Sequence, residues 1–90
     1  MLELVLTSKF RKDYKTIKKR GYDTKLLEPV FQTLIEEKKL DPQYKDHDLH
    51  GDYEGYRECH ITSDWLLIYK IAKGKAVLYA SRTGTHSDLF

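Results

Sequence analysis

The sequence predicts an α+β fold in the order β-α-α-β-β-β, with a helical hairpin packed on one face of a largely antiparallel sheet. Two features carry that expectation. Apolar residues recur at helical spacing through the first 40 residues, and three short β-rich segments follow one another after residue 55. Ninety residues leave room for a small single domain over residues 1–90, with one modest hydrophobic core.

Leu2, Val5 and Leu6 mark an opening strand over residues 2–6. Thr7 or Ser8 then caps a helix, because a hydroxyl accepts from amides that a first helical turn leaves unpaired. Phe10, Tyr14 and Ile17, at steps of four and three, line its buried face, and Gly21 supplies the stop. Asp23 or Thr24 starts a second helix, whose stripe of Leu26, Leu27, Val30, Phe31, Leu34 and Ile35 leads to a stop at Asp41-Pro42. Pro29 falls in the first half of that helix, where a missing amide is tolerable only near the first turn or at a kink. Asp41 to Gly55 is polar and reads as loop. Strands are expected at Tyr56–Thr62, Trp65–Ile71 and Lys75–Thr83, with Ala72-Lys73-Gly74 as a hairpin turn in which Gly74 takes positive φ. Gly84 to Phe90 reads as a short tail.

Composition narrows the class. The longest apolar run, Trp65 to Tyr69, is far short of a membrane span. The first residues carry an early acid and no basic leader, which does not read as a signal peptide. Cys59 is the single cysteine, so no intrachain disulfide can form and a reducing, cytoplasmic setting is expected. The net charge of +2 divides unevenly, +4 over residues 1–40 and −2 over residues 41–90. The positive excess gathers around Lys15, Lys18 and Lys19, where it forms either a solvated helix face or a surface for phosphates or an acidic partner.

Four histidines, at positions 47, 50, 60 and 86, all fall in the second half. Strand alternation turns Tyr56, Glu58 and His60 one way and Arg57, Cys59 and Ile61 the other, with the Cys59 and Ile61 side facing the helices. Simple alternation in the last strand puts Arg82 on the side of Leu78 and Ala80. An open sheet face bearing His60 and Arg82, beside a loop with His47 and a tail with His86, suits one chemistry in particular. RNA can be cut by its own 2′-hydroxyl, provided a base takes that proton and an acid protonates the leaving 5′-oxygen. Histidine serves either role near neutral pH, and arginine stabilises the charge on phosphorus. Such cleavage requires no cofactor. A metal site from Cys59, His60, Asp64 and His86 is disfavoured, since Cys59 and His60 point to opposite strand faces and no spaced Cys or His pair occurs. Each of these residues also has a plain structural use: Trp65 as core, Phe90 as a closing plug, Arg82 as an ion-pair partner.

Four ordered motifs sharpen this. They are Tyr44-Lys45-Asp46-His47-x-Leu49-x-Gly51, Gly55-Tyr56-Arg57-Glu58-Cys59-His60-Ile61, Asp64-Trp65-Leu66-Leu67-Ile68-Tyr69-Lys70, and Arg82-Thr83-Gly84-Thr85-His86-Ser87-Asp88-Leu89-Phe90. Together they resemble the YafQ branch of the RelE/ParE toxin superfamily, densely from about residue 41 onward, with a Phe10, Lys12, Asp13 match in the first helix. The resemblance implies a RelE-like domain and a ribosome-dependent endoribonuclease that cleaves messenger RNA in the ribosomal A site, neutralised by a cognate antitoxin.

Carried over by motif, the catalytic set is His47, His60, Asp64, Arg82 and His86, with Trp65 and Phe90 shaping the surface that grips nucleotides. His86 is expected to protonate the leaving oxygen. His60, assisted by Asp64 or His47, is expected to accept the 2′-proton, and Arg82 to stabilise the phosphorane. Lys15, Lys18 and Lys19 gain a use as contacts to ribosomal RNA or to acidic antitoxin segments. His50 lies at a variable motif position and is expected to be a bystander. Rival readings remain a ParE-like gyrase binder without RNA chemistry and an inactive, antitoxin-binding relative.

Overall fold

The computed structural model describes all 90 residues. Strand β1 (Glu3–Leu6) leads into helix α1 (Ser8–Lys19). Thr7 caps the helix, its Oγ1 accepting from the Phe10 amide at 3.1 Å while donating to the Ser81 carbonyl at 2.9 Å. One side chain thus starts the helix and fastens it to a distant strand. Phe10 and Ile17 are buried and Tyr14 packs against them, as the spacing requires. Gly21 follows the helix at φ +88°, a left-handed conformation that costs other residues a clash.

The second helix is shorter than expected at both ends. Asp23 caps a single 3₁₀ turn, Thr24–Leu26, before α2 runs from Leu27 to Ile35. Pro29 is tolerated because it is the third residue of α2, where its missing amide has no intrahelical partner to lose. The helix stops six residues before Asp41. Glu36, Glu37, Lys38 and Lys39 offer nothing apolar to bury, Glu37 turns left-handed at φ 59°, and the amide of Leu2, just before β1, donates to the Ile35 carbonyl at 2.9 Å.

The expected loop contains an additional strand. After a 3₁₀ turn at Pro42–Tyr44, β2 (His47–Asp48) pairs antiparallel with β3 (Arg57–His60), and a second 3₁₀ turn, Gly51–Tyr53, lies between them. Strand β4 (Leu66–Ala72) and strand β5 (Val77–Gly84) complete a sheet in the order β1-β5-β4-β3-β2. Only the β1–β5 pair is parallel. The turn between β4 and β5 is a 3₁₀ turn over Lys73–Lys75, and Ala76 at φ 55°, not Gly74, takes the positive φ. Residues Leu66 to Tyr69 of β4 are buried on both faces because β4 is the central strand. The tail ends in a helical turn, α3 (His86–Leu89).

The sheet has two differently covered faces. Cys59, Leu67, Tyr69, Leu78 and Ala80 pack with α1 and α2 in the main core. On the other face Leu66, Ile68 and Leu89 form a small cluster flanked by Leu49, Tyr53 and Tyr56. A β-bulge decides which residues reach that second face. Ile68 pairs with Arg82 but Tyr69 pairs with Ala80, so Ser81 is an extra residue in β5. Ala80 therefore faces the helices and Arg82 the opposite side, correcting the alternation that grouped them. No helix is long and apolar enough to cross a membrane.

Candidate active site

Three of the four histidines meet on the sheet face away from α1 and α2. His47 of β2 lies opposite Glu58 of β3, and Glu58 opposite Ile68 of β4, which lies opposite Arg82 of β5. The neighbouring row is His60, Leu66 and Gly84. Gly84 turns the chain into α3, whose first residue is His86. His47, Glu58, His60, Asp64 and His86 line one open cleft of about 700 Å³.

One charged residue of the cleft wall lies outside the set that the motifs supply. Glu58 is a buried carboxylate, 6% exposed, on the cleft wall. Its Oε1 lies 3.2 Å from His47 Nε2, while its Oε2 is buried without any hydrogen-bond partner. On its other side the His47 ring places Nδ1 2.7 Å from the Lys45 carbonyl. A carbonyl only accepts, so Nδ1 is the donor toward Lys45, and Nε2 is the ring nitrogen turned to the Glu58 carboxylate. Strand alternation already turned Glu58 toward His60; its burial and its partner depend on β2, which no pattern in the loop announced.

His47 itself is held from both sides. Arg57 donates to Asp48 at 2.5 Å and to Asp46 at 2.7 Å, and the Tyr69 hydroxyl donates to Asp46 as well. These bonds hold the Arg57 guanidinium more firmly charged, chiefly through Asp46, and burial followed by the Asp46 bond raises the Tyr69 hydroxyl. The His60 ring stands 6.3 Å from that of His47, centroid to centroid. Asp64 lines the cleft but does not steady either ring: its oxygens accept from Tyr22 at 3.0 Å and Thr62 at 3.1 Å. Cys59 lies on the other strand face, where burial pushes its thiol well up. No group of three or more His, Cys, Asp and Glu side chains is arranged to hold a metal ion. His50 sits outside the cleft, 3.9 Å from Glu54.

His86 is placed by a tightly folded tail. Thr85 and Asp88 form a capping box, the Thr85 amide donating to Asp88 Oδ2 at 2.9 Å and the Asp88 amide to Thr85 Oγ1 at 3.3 Å. Arg20 then donates to both Asp88 oxygens, at 2.7 and 3.2 Å, tying α3 to the end of α1. A side chain at Gly84 would sit 3.0 Å from Asp88, so this close fold needs glycine. The exposed Phe90 ring stacks on His86 with centroids 4.9 Å apart.

The Arg20 bonds, and after them the Thr85 amide, hold the Asp88 carboxyl well below the usual range. A carboxylate depressed in the folded state contributes stability above its unfolded value, about 4, and loses that contribution as pH falls. Protection from amide exchange over residues 85–90, relative to the intrinsic rate, should therefore fall on acidification below about pH 4, while an Asp88→Asn protein should be poorly protected there at neutral pH too. Equal exchange in the two proteins at neutral pH would show the tail to be held by other means.

Trp65 requires correction. It is fully buried, donates from Nε1 to Thr83 Oγ1 at 2.7 Å and meets Tyr22 edge-on at 5.4 Å. It cannot stack on a nucleotide; it anchors the β3–β4 turn, in which Asp64 stands. Thr83 passes the bond on to the Leu66 carbonyl at 2.7 Å. A Trp65→Phe protein should lose about 1–3 kcal/mol of stability in denaturant unfolding, from an unmade buried bond and a small void; an unchanged midpoint would mean that the bond contributes nothing.

Arg82 lies in the same cross-strand row as His47 and Glu58 but does not line their cleft. Its Nε and Nη2 donate to Asp13 of α1 at 2.6 and 3.2 Å, which strengthens its charge, and Asp13 Oδ2 also accepts the Thr83 amide at 3.1 Å. Lys15, Lys18 and Lys19 are exposed on α1, outside the cleft.

With the fold and cleft described, comparison with known proteins decides the family. The model of a family described as the bacterial toxin of type II toxin-antitoxin system, YafQ, matches residues 2–90. This chain belongs to the YafQ family. A YafQ relative, the mRNA interferase toxin YafQ of Escherichia coli K12, is 38% identical over 89 residues, covering 98% of this chain and 95% of the relative. The metal-bound toxin from Helicobacter pylori superposes with a TM-score of 0.94 at 46% identity, each chain covered in full. A YafQ chain from the E. coli DinJ-YafQ complex superposes with a TM-score of 0.89 at 37% identity, covering 100% of this chain and 99% of that one. The expected RelE-like α+β fold is borne out, and the chain is a toxin of the type II toxin-antitoxin class.

Proposed function

We propose that this YafQ family member is a cytoplasmic, ribosome-dependent endoribonuclease that cleaves messenger RNA in the A site and is neutralised by a cognate antitoxin. One observation carries the reading: a single cleft brings the Glu58–His47 pair together with His60 and His86. Cleavage by 2′-hydroxyl attack needs one group to remove a proton and another to supply one. The Glu58–His47 pair takes the 2′-proton, with His47 its exposed member and the buried Glu58 carboxylate supporting the ring. His86 protonates the leaving 5′-oxygen. His60 donates to the phosphorane oxygens, and Asp64 holds the β3–β4 turn and the cleft's outer rim through Tyr22 and Thr62. Arg82, in the His47–Glu58 row, brings a fixed positive charge to the phosphate chain. The E. coli relatives' name as mRNA interferases and the DinJ complex support the substrate and the antitoxin.

The test is cleavage mapping on ribosomes programmed with a defined message. Cuts confined to the A-site codon support the reading; an intact message at saturating toxin overturns it. The basic helix belongs to the same picture as a contact to ribosomal RNA. A Lys15→Ala/Lys18→Ala/Lys19→Ala protein should bind ribosomes with a shallower salt dependence, by up to about three counterions' worth of slope. Equal slopes would remove α1 from the contact.

A further inference from the structure

A second concave surface lies on the same side of the sheet, and apart from Arg82 the mechanism above leaves it unused. It is a groove of about 470 Å³ between the start of α1 and the 3₁₀ turn before β3, bounded by Lys9, Tyr53, Tyr56 and Arg82. Its size falls within the roughly 300–1,000 Å³ of small-ligand pockets. The wall carries two cations and two aromatic rings against the single carboxylate of Asp52.

The groove is joined to the catalytic cleft by a row of rings. His86 stacks on Phe90 at 4.9 Å, Phe90 meets Tyr53 edge-on at 5.6 Å, and Tyr53 meets Tyr56 at 5.9 Å. Phe90 is 56% exposed, and the Tyr53 and Tyr56 rings are half-buried, so each is steadied by packing yet keeps an open surface. Arg82 looks out into this groove while its guanidinium is fixed by Asp13. A cation pinned in place beside a pair of rings is the arrangement that recognises a single-stranded nucleotide, phosphate on the cation and base on the ring.

From this we propose that the groove is a subsite for the nucleotide next to the cleaved phosphate, its phosphate held by Lys9 and Arg82 and its base by Tyr53 and Tyr56. The proposal rests on the ribonuclease reading above and extends it. A strand whose scissile phosphate lies by His86 passes over Phe90 and enters the groove, so the message is gripped on one flank of the cut. Stacking tolerates any base, so the subsite adds affinity and registers the strand without reading its sequence.

The experiment is a double-mutant cycle on programmed ribosomes, comparing an intact message with messages carrying one abasic residue on the 5′ or the 3′ side of the cut. Wild type should cleave one of the two abasic messages about tenfold less efficiently in kcat/KM. A Tyr53→Ala protein should be slower on the intact message and indifferent to that abasic residue. Because Tyr53 also packs on Leu66 and Ile68, a second pair guards against misfolding: Lys9→Ala, an exposed substitution, against a neutral methylphosphonate in place of the flanking phosphate. Removing base or charge should lose its effect once the matching side chain is gone. If both abasic messages and the methylphosphonate penalise wild type and variants equally, the subsite is wrong while the ribonuclease reading stands. If wild type leaves the intact message uncut, the ribonuclease reading itself fails, and the subsite with it.

Discussion

A His86→Ala protein should cleave ribosome-bound message at least about 100-fold more slowly than wild type while unfolding at the same denaturant concentration. The magnitude is that of losing one positioned general acid. Stability should hold because His86 is exposed and the bonds that fold α3 come from Thr85, Asp88 and Arg20. A variant that cleaves at the wild-type rate would assign the acid elsewhere.

Replacing Glu58 by Gln should be nearly as severe, again about 100-fold or more in kcat. The change is close to isosteric, so the strand pairing of β3 should survive. What disappears is the buried carboxylate that lies 3.2 Å from His47 Nε2. A Glu58→Asp protein should recover part of the rate, since the charge returns on a shorter arm. If Glu58→Gln cleaves normally, the 2′-proton goes to His60, as motif reading alone suggested.

Much of the fold was legible because it is locally encoded. Thr7, the Phe10–Tyr14–Ile17 spacing and Gly21 each act within a few residues, and the helix they imply is present at the expected place. The three long strands were legible for the same reason, as was the turning of Cys59 toward the core and of His60 away from it. Strand β2 was not. His47-Asp48 has no strand pattern of its own and becomes a strand only because β3 offers it an edge, with Arg57 bonding Asp46 and Asp48 on either side of His47. The helical turn in the tail was not legible because four residues cannot make a stable helix alone; Arg20, more than 60 residues away in sequence, supplies what is missing.

The site divides along the same line. Residue chemistry and motif order suffice to select His47, His60, Asp64 and His86, since a proton-transfer reaction restricts which side chains can serve, and all four line one cleft. Their partners are a matter of tertiary structure. Trp65 is drawn into the core by Thr83 and Tyr22, Asp64 is engaged by Tyr22 and Thr62, and Glu58 becomes the partner of His47. Above all, the extra residue at Ser81 reverses the alternation of β5 and carries Arg82 to the far face, into a groove of its own. A bulge is a property of two strands compared with each other, and a single strand's pattern cannot contain it. The sequence by itself determined which chemistry this protein can perform; the pairing of its strands decided which groups meet to perform it.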